Sequence, residues 1–401
     1  DVVRRALASQ PLPPQTLAQA EALAAEARFF HWPLEFPEVF GKAGFDVILG
    51  NPPFSAELNQ RDKKFLKSVY ANAGSVNTAS LFWFLSVKLA NIGGRIGLVT
   101  PKSITYSTRW SKLRTFLLPF VEKIIDYGEA WNEVLLEQVL VVVGKTAKSP
   151  HIKTQRLFSG TSDIVTIPRQ TLEKFDVWFI SPEPTLLEIL EHFRNSPQRW
   201  LFLGEILSTQ RGKGFQRTMR KQGEIPVIAG KDIAPCTLKS ISGFLMLDQV
   251  NDLSFFDSPK ALFQNIVAYI SRPRPHIKII GAVDYSGAAC LDTVNIVRCP
   301  TNVFSPESIV AILSSKLINW LAHRIVFGFA QRTMHFDQFA LDRIFIPRKL
   351  LDMREEIHSL ASKLIQSGGE NRLAAESIDE LLFKAYELNN SSRRDALDSF
   401  E

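Results

Sequence analysis

Short apolar runs alternate with helical patterns along the first third of this sequence. The runs that predict strands span residues 45–49, 95–101, 121–127 and 139–143. Residues 77–91 are apolar on nearly all sides and predict a buried helix, which Gly93-Gly94 would end as a glycine C-cap. A second helix is expected over residues 113–120, with Arg114 on its outer face. This order predicts an α/β fold whose sheet has an antiparallel end.

Two segments precede the first predicted strand. Residues 1–28 are rich in alanine and leucine and predict a helical lead-in that is broken by the prolines at 11, 13 and 14. Residues 29–40 are aromatic and punctuated by prolines. We therefore expect a strand and a loop there, packed beside the strand at 45–49.

The first predicted strand runs into a stiff turn, within the sequence FDVILGNPPF (residues 45–54). An apolar run this short, ended by glycine, predicts a buried parallel strand that stops at the carboxyl edge of the sheet, where open α/β sheets bind ligands. The prolines remove two N–H donors. The Asn51 amide oxygen and the Pro52 carbonyl could then accept both protons of one exocyclic amine, while Phe54 could stack on its ring. That chemistry suits an adenine or cytosine flipped out of a duplex, although any strand-to-loop turn can contain Asn-Pro-Pro.

After about residue 170 the pattern changes to short strands, loops and scattered basic residues. A core helix is expected over 305–327, a hairpin at 284–287, and two closing helices over 352–367 and 371–388. The sequence therefore predicts four parts, which are residues 1–28, 29–170, 171–350 and 351–401.

Basic residues of the second half fall into two groups on predicted loops. The first group comprises Arg211, Lys213, Arg217, Arg220 and Lys221, and the second comprises Arg272, Arg274 and Lys278. Such groups favour contacts with the phosphates of DNA, which would position a duplex for a few side chains to read its bases. Solvation without any DNA contact is the alternative for each single residue.

Composition adds mild constraints. The chain has 401 residues, 45% of them hydrophobic and 22% charged, which is enough for two or three ordinary cores. A net charge of +6 and a pI near 9.1 favour a polyanionic partner. The 3 cysteines lack C-x-x-C spacing and the histidines form no paired motif, so we expect a reduced, cytoplasmic protein without a zinc site. No apolar run reaches the ~18 residues of a membrane span.

With its strand and its final phenylalanine, FDVILGNPPF resembles the catalytic motif of adenine-specific (N6) DNA methyltransferases of type II and IIG-like restriction–modification systems. Residues 29–150 resemble the later half of their Rossmann-like fold. The resemblance implies that Asn51, Pro52, Pro53 and Phe54 are catalytic. It also implies that Trp131 supports the flipped base from the opposite side, and that Glu35 and Asn51 contact S-adenosylmethionine.

The second half resembles a TaqI-like C-terminal specificity domain over residues 200–350 and the terminal helix. The resemblance rests on the order of its pieces, from a glycine-rich opening strand through Ile-Ala-Gly-Lys-Asp-Ile to an Ile-Pro ending. It implies a target-recognition domain, α+β with C-terminal helices, whose partner is double-stranded DNA.

One expected feature is absent from the sequence. The glycine-rich loop that holds S-adenosylmethionine should precede Asn51 in this class, and residues 1–50 contain no such loop after a strand. We therefore expect half of a cofactor site, completed by a missing N-terminal part of the parent protein. An alternative is a DNA-binding specificity module that is inactive without that part. A nuclease is disfavoured, because no Asp…Glu-x-Lys set follows a strand.

Overall fold

The computed structural model of the protein describes residues 13–27, 30–54, 56–70, 78–129, 136–146, 149–157, 163–249, 258–272, 274–332 and 334–400. Within those ranges, no helix combines the length and the apolar character that crossing a membrane requires.

A six-stranded mixed sheet dominates the first half. Its strands are β1 (Phe45–Gly50), β2 (Ala90–Pro101), β3 (Val121–Gly128), β4 (Gln138–Gly144), β5 (His151–Arg156) and β6 (Ile164–Pro168). They lie in the order β1-β2-β4-β3-β5-β6. Strands β1, β2, β3 and β5 run in one direction, and β4 and β6 run against them. The mixture of helices with a mixed sheet is confirmed. The predicted antiparallel end is met by β6, whereas the antiparallel strand β4 lies inside the sheet, between β2 and β3.

Seven helices accompany this sheet within the described ranges. They are α1 (Pro14–Ala27), α2 (Trp32–Glu35), α3 (Pro37–Phe40), α4 (Gln60–Val69), α5 (Thr78–Leu89), α6 (Ser111–Leu117) and α7 (Arg169–Phe175). Helix α5 fulfils the prediction for residues 77–91, since its Leu81 and Trp83 are buried.

The second half consists of small sheets and helices. Its strands are β7 (Trp200–Phe202), β8 (Ser208–Arg211), β9 (Ile225–Ile228), β10 (Ile233–Ala234), β11 (Thr237–Leu238), β12 (Gly243–Leu245), β13 (Lys260–Gln264), β14 (Ala268–Ile270), β15 (His276–Lys278), β16 (Gly281–Asp284), β17 (Ala289–Cys290), β18 (Val294–Arg298) and β19 (Phe345–Pro347). The largest sheet has the order β16-β13-β18-β8, and a second has the order β12-β9-β17.

The helices of this half are α8 (Pro184–Asn195), α9 (Pro306–Ser314), α10 (Lys316–Ile325), α11 (Gln338–Leu341), α12 (Arg354–Gln366), α13 (Arg372–Ala385) and α14 (Asn390–Leu397). Helices α12 and α13 fulfil the two predicted closing helices, and α14 follows them as a third.

One continuous hydrophobic core links the two halves. Phe345 of β19 packs with its ring centroid 5.4 Å from that of Phe175, 4.9 Å from Phe193 and 5.2 Å from Trp200. Because Phe175 ends α7, beside the six-stranded sheet, these rings join that sheet to the chain's last strand. The carboxyl edge of the sheet is therefore held in a fixed place relative to the second half.

The prediction that strand β1 is buried is wrong. Strand β1 is parallel to β2 but lies at the end of the sheet, and β2 is its single neighbour among the described strands. Val47 is 59% exposed and Leu49 is 77% exposed as a result. Apolar side chains of a strand are covered only where other elements lie on its faces and at its free edge.

Residues 29–40 and Gly93-Gly94 also differ from expectation. The aromatic segment forms the short helices α2 and α3 rather than a strand, since a proline occupies the first turn of each, where its missing N–H costs nothing. Gly93, with φ of +97°, lies inside β2 where the register with β1 shifts, so these glycines form a bulge and not a helix cap.

Three other sequence predictions are wrong. The helix expected over 305–327 is divided, because Ser315 is extended and its side chain caps α10 by accepting from the N–H of Ile318. The expected hairpin at 284–287 instead joins β16 and β17, which belong to different sheets. Arg114 is buried rather than outward-facing, because its guanidinium forms an ion pair with Asp176 at 2.9 Å.

Candidate functional site

The Asn-Pro-Pro-Phe turn lies at the carboxyl edge of the sheet, directly after β1. Pro52 is buried, whereas Asn51 is exposed. Within the described part of the chain, the Asn51 side chain makes no hydrogen bond and is free to bind a ligand. Phe54 is half-buried against the hydrophobic core, which restricts its ring. The structure thus brings together the four residues that the sequence predicted as catalytic.

Thr78 fixes the shape of this turn. Its hydroxyl donates to the carbonyl oxygen of Pro53 at 2.7 Å and accepts from the N–H of Ala56 at 3.1 Å. Both bonds cross more than 20 positions of sequence, so sequence reasoning missed this residue. The available signal was its place as a hydroxyl residue at the start of the buried helix α5.

A groove of about 450 Å³ lies beside the turn and β1. Apolar side chains dominate its lining, among them Trp32, Val47, Leu49 and Phe82, and residues 50–53 of the turn line it as well. Among the described lining residues, Asn51 and Ser86 supply amide and hydroxyl groups and none is charged. The groove therefore suits an apolar occupant.

A buried ionic cluster lies further along the same edge. Lys102 follows the end of β2, and its Nζ lies 2.9 Å from a carboxylate oxygen of Asp126 and 2.9 Å from one of Glu137. All three side chains are almost fully buried. Strands β1, β2 and β3 end at this edge and β4 begins there, so the cluster lies two or three strand spacings from Asn51, roughly 10–15 Å.

A loop of the second half closes over this cluster. Lys102 also donates to the carbonyl oxygen of Phe329 at 3.0 Å, and the N–H of Gln331 donates to Glu137 at 2.8 Å. Arg332 forms an ion pair with Glu129 at 3.1 Å. Glu129 and Glu137 flank the segment that contains Trp131, which lies outside the described residues. The second half therefore touches the sheet on both sides of that segment.

Buried aromatic and charged groups hold the same loop. The guanidinium of Arg156 lies 3.8 Å from the centre of the Phe329 ring, and Arg324 pairs with Glu183 at 3.0 Å. Burial lowers the pKa of His323 well below its usual value, and its Nε2 lies 3.1 Å from the carbonyl oxygen of Ala330. A neutral imidazole is the form that such a dry, cation-rich place favours.

Glu35 and Asn51 are the two residues predicted to contact a cofactor. Glu35 ends α2 between Trp32 and Phe36, whose rings pack on Phe45 at the beginning of β1. Asn51 follows the other end of that strand, about 20 Å from Phe45 for six extended residues. Trp32, on the same helix as Glu35, lines the groove that also reaches Asn51, and the cofactor contact of both residues stays a prediction.

Two members of the first predicted basic group, Arg211 and Lys213, contact the segment at Asp292, whereas the backbone of Arg220 pairs with Phe244. Arg211 donates from Nε to the Asp292 carbonyl oxygen at 2.8 Å, and Gln216, next to Arg217, donates to its carboxylate at 2.7 Å. The backbone N–H of Lys213 donates to Cys290. Gly212, between Arg211 and Lys213, lies against the backbone of Leu291. A Cβ atom at this position would be 2.1 Å from the Leu291 carbonyl oxygen, so only glycine fits.

The second predicted group lies elsewhere. Arg272 and Arg274 are exposed between β14 and β15, and Lys278 is exposed at the end of β15. Arg274 pairs with Asp398 of the C-terminal region at 3.3 Å, and both side chains are well solvated. No hydrogen bond or ion pair recorded for the described residues links this group to the one around Asp292.

These features place the chain beside known proteins of one class. Residues 7–131 match the Eco57I restriction-modification methylase family. That match contains the turn and the whole of β1, β2 and β3, and it stops before β4.

Two curated proteins are similar in sequence. The type II methyltransferase M.VspI of Vibrio sp. (strain 343) is 25% identical over 199 residues, which are 47% of this chain and 48% of that protein. A putative type II restriction enzyme and methyltransferase of Methanocaldococcus jannaschii, RM.MjaORFECS2P, is 33% identical over 85 residues, 21% of this chain and 7% of that protein. The chain thus matches about half the length of the first relative and a small part of the second.

The fold is similar to that of a solved enzyme as well. The type IIL restriction-modification enzyme MmeI, determined in complex with DNA, superposes with a TM-score of 0.53 over 88% of this chain and 56% of that chain, at 13% identity. The similarity therefore extends through both halves of the fold.

Proposed function

We propose that this chain methylates the N6 amino group of adenine in DNA, as part of a restriction–modification or related phage-defence system. The target base would be flipped out of the duplex into the pocket at Asn51-Pro52-Pro53-Phe54. The second half would read the recognition sequence. Residues 29–170 would then form the later part of a methyltransferase domain, 171–350 the target-recognition domain and 351–401 its closing helices.

The observation that carries this proposal is the free amide of Asn51 at the carboxyl edge of the sheet. An exocyclic amino group needs two acceptors, and the Asn51 side chain and the Pro52 carbonyl supply two on one stiff turn. Accepting both protons keeps the nitrogen lone pair out of the ring's conjugation. Phe54 would stack on the base, and Trp131 would support it from the other side.

The methyl donor of such a reaction is S-adenosylmethionine. Among the described residues, no charged side chain lines the groove beside β1, so none of them would pair with the amino-acid end of the donor. We assign the binding of the amino group to the turn, and the donor's amino-acid end to residues outside this groove. Glu35 and Asn51 stay the proposed contacts to the remainder of the donor, since Trp32 of Glu35's helix lines the same groove as Asn51.

The free edge of β1 supports a partner that completes the sheet. Val47 and Leu49 expose apolar surface on a strand that, within the described part of the chain, pairs on one side alone. Natural proteins protect such edges, and an exposed apolar edge is a template for another strand. We propose that this partner is the preceding part of the parent protein, and that it brings the donor site.

The test is Asn51→Ala in the full-length protein. Methylation of DNA should be lost, while the affinity for a duplex that carries the recognition sequence should stay within about threefold of the parent, because phosphate contacts dominate affinity. Transfer of tritiated methyl groups and fluorescence anisotropy measure the two quantities. Methylation at the parental rate by this variant would disprove the assignment of the turn.

A second function is favoured by the same open edge of β1. The chain on its own would be a DNA-binding specificity module that is catalytically silent until the missing part joins it. Titration calorimetry of the isolated chain with S-adenosylmethionine separates the two readings. Saturable heat at millimolar cofactor would rule out the module, whereas DNA binding without such heat would support it.

A further inference from the structure

Two short segments of the second half form a hydrogen-bonded ribbon. The N–H of Val267 donates to the carbonyl oxygen of Met334 at 3.0 Å, and the N–H of Phe336 donates to that of Asn265 at 2.9 Å. Ile266 and His335 are directly opposite each other in this antiparallel bridge. Paired residues of an antiparallel bridge project to the same side, so these two side chains stand next to each other.

The two faces of the ribbon are very different. Asn265, Val267, Met334 and Phe336 are buried, whereas Ile266 is 58% exposed and His335 is exposed as well. Alternation of this kind packs one face of the ribbon into the core and leaves the other face exposed to solvent. An isoleucine is therefore held outward on rigid backbone, beside an imidazole.

Buried amides lock the ribbon in place. Asn295 of β18 donates to the Asn265 side chain at 3.0 Å and also to the carbonyl oxygen of Phe336. The Asn265 amide nitrogen lies 3.3 Å from Nδ1 of His335. Such a satisfied polar network fixes backbone and side chains, so Ile266 has little freedom to turn inward.

The ribbon lies next to the carboxyl edge of the sheet on one side. Arg332, three residues before His335, pairs with Glu129. Tyr269, three residues after Ile266, packs with its ring centroid 6.1 Å from that of His323, which contacts the loop over the same edge. Burial raises the pKa of Tyr269, and the charges of Glu137 and Glu129 raise it further. Both arms of the ribbon therefore lead within about 10 Å to the acidic residues that flank the Trp131 segment.

The other side of the ribbon faces the first basic group. The N–H of Asn265 donates to the carbonyl oxygen of Thr293 at 2.9 Å, and Thr293 follows Asp292, which holds Arg211 and Gln216. Ile266 consequently lies between residues suited to phosphate contacts and the edge where the target base would be bound. A duplex that reaches both must pass over the ribbon.

We propose that Ile266 is the side chain that this protein inserts into the DNA stack where the target base leaves the duplex, with His335 beside it on the neighbouring bases. This inference rests on the proposed function. Flipping a base costs its stacking and pairing energy, and an apolar wedge that fills the gap offsets part of this cost. A rigid, outward isoleucine is suited to that role.

The experiment uses the full-length protein and a duplex that carries its own recognition sequence, mapped from the methylated sites of a host that expresses it. Ile266→Ala is compared with Leu373→Ala, which truncates another exposed aliphatic residue, on α13. Methylation is measured on a fully paired duplex and on one with an abasic site opposite the target adenine. Fluorescence of 2-aminopurine at the target position reports flipping independently of catalysis.

We expect Ile266→Ala to lower the methylation rate on paired DNA about tenfold and to lower the 2-aminopurine signal, because flipping loses its wedge. On the abasic duplex the rate should return to within about threefold of the parent, since the unpaired base flips at little cost. Leu373→Ala should match the parent on both duplexes.

Two results would disprove the proposal that Ile266 inserts into the DNA stack. One is an unchanged rate on paired DNA, and the other is an equal loss on both duplexes, which would indicate a structural role. If the unaltered protein methylates neither duplex, the proposed function fails first and this inference falls with it.

Discussion

Lys102 offers the sharpest test of how the two halves are joined. Lys102→Met keeps most of the length of the side chain but leaves the carboxylates of Asp126 and Glu137 buried without their cation. It also removes the donor to the Phe329 carbonyl. Removing one partner of a buried ion pair costs about 3–5 kcal/mol, because the remaining charge has neither water nor a counter-ion. We expect a loss of that size in the free energy of unfolding.

The assay is urea unfolding at pH 7, followed by circular dichroism and tryptophan fluorescence. Arg95→Met is the matched control, since the Arg95–Glu122 pair is exposed and its loss should cost less than about 1 kcal/mol. The triple variant Lys102→Met, Asp126→Asn, Glu137→Gln should recover most of the loss, because it leaves no unpaired charge. The reasoning is refuted if Lys102→Met is no more destabilising than Arg95→Met.

Three further outcomes are expected. Burial raises the pKa of Asp379 to about 6, so the folded state favours the protonated carboxyl group. The free energy of unfolding should therefore fall by roughly 3 kcal/mol as the pH rises from 4 to 6. Asp379→Asn should flatten that part of a plot of unfolding free energy against pH. Thr78→Val should slow methylation about tenfold at unchanged DNA affinity, and Thr78→Ser should restore the rate, as single-turnover kinetics would reveal. Arg272→Ala and Arg274→Ala should each weaken DNA binding and lower its salt dependence by about one counter-ion; unchanged affinity across a salt series would exclude the β14–β15 region from the interface.

Local pattern was sufficient for the elements that carry the candidate site. The run FDVILG and the two prolines after Asn51 predicted a strand and a turn at the sheet edge, because both depend on neighbouring residues alone. The buried helix α5 followed from its apolar character for the same reason. Strand β4 itself was predicted from its apolar run, but its place inside the sheet, between β2 and β3, was not, since the pattern placed it in an antiparallel end.

Residues that act across the chain could not be found in this way. Thr78 contacts the turn from 25 positions away, and Lys102 meets Phe329 from 227 positions away. Arg114 carries the charge typical of a solvated helix face, and only the fold reveals that Asp176 pairs with it inside. The exposure of β1 likewise depends on how many strands lie beside it, which is a property of the sheet and not of the six residues.

The loop that closes over Lys102 sets a rule for building chimeras of such proteins. Residues 329–332 belong by position to the half that would choose the sequence, yet Phe329, Gln331 and Arg332 bond to Lys102, Glu137 and Glu129 at the edge of the sheet, while Ala330 also contacts His323 of their own half. A graft that imports a foreign second half together with its own loop would leave those charges facing unmatched backbone. In a working hybrid the two junctions should therefore lie before and after this loop. Residues 329–332 then keep their bonds to the edge of the sheet while the strands around them are exchanged.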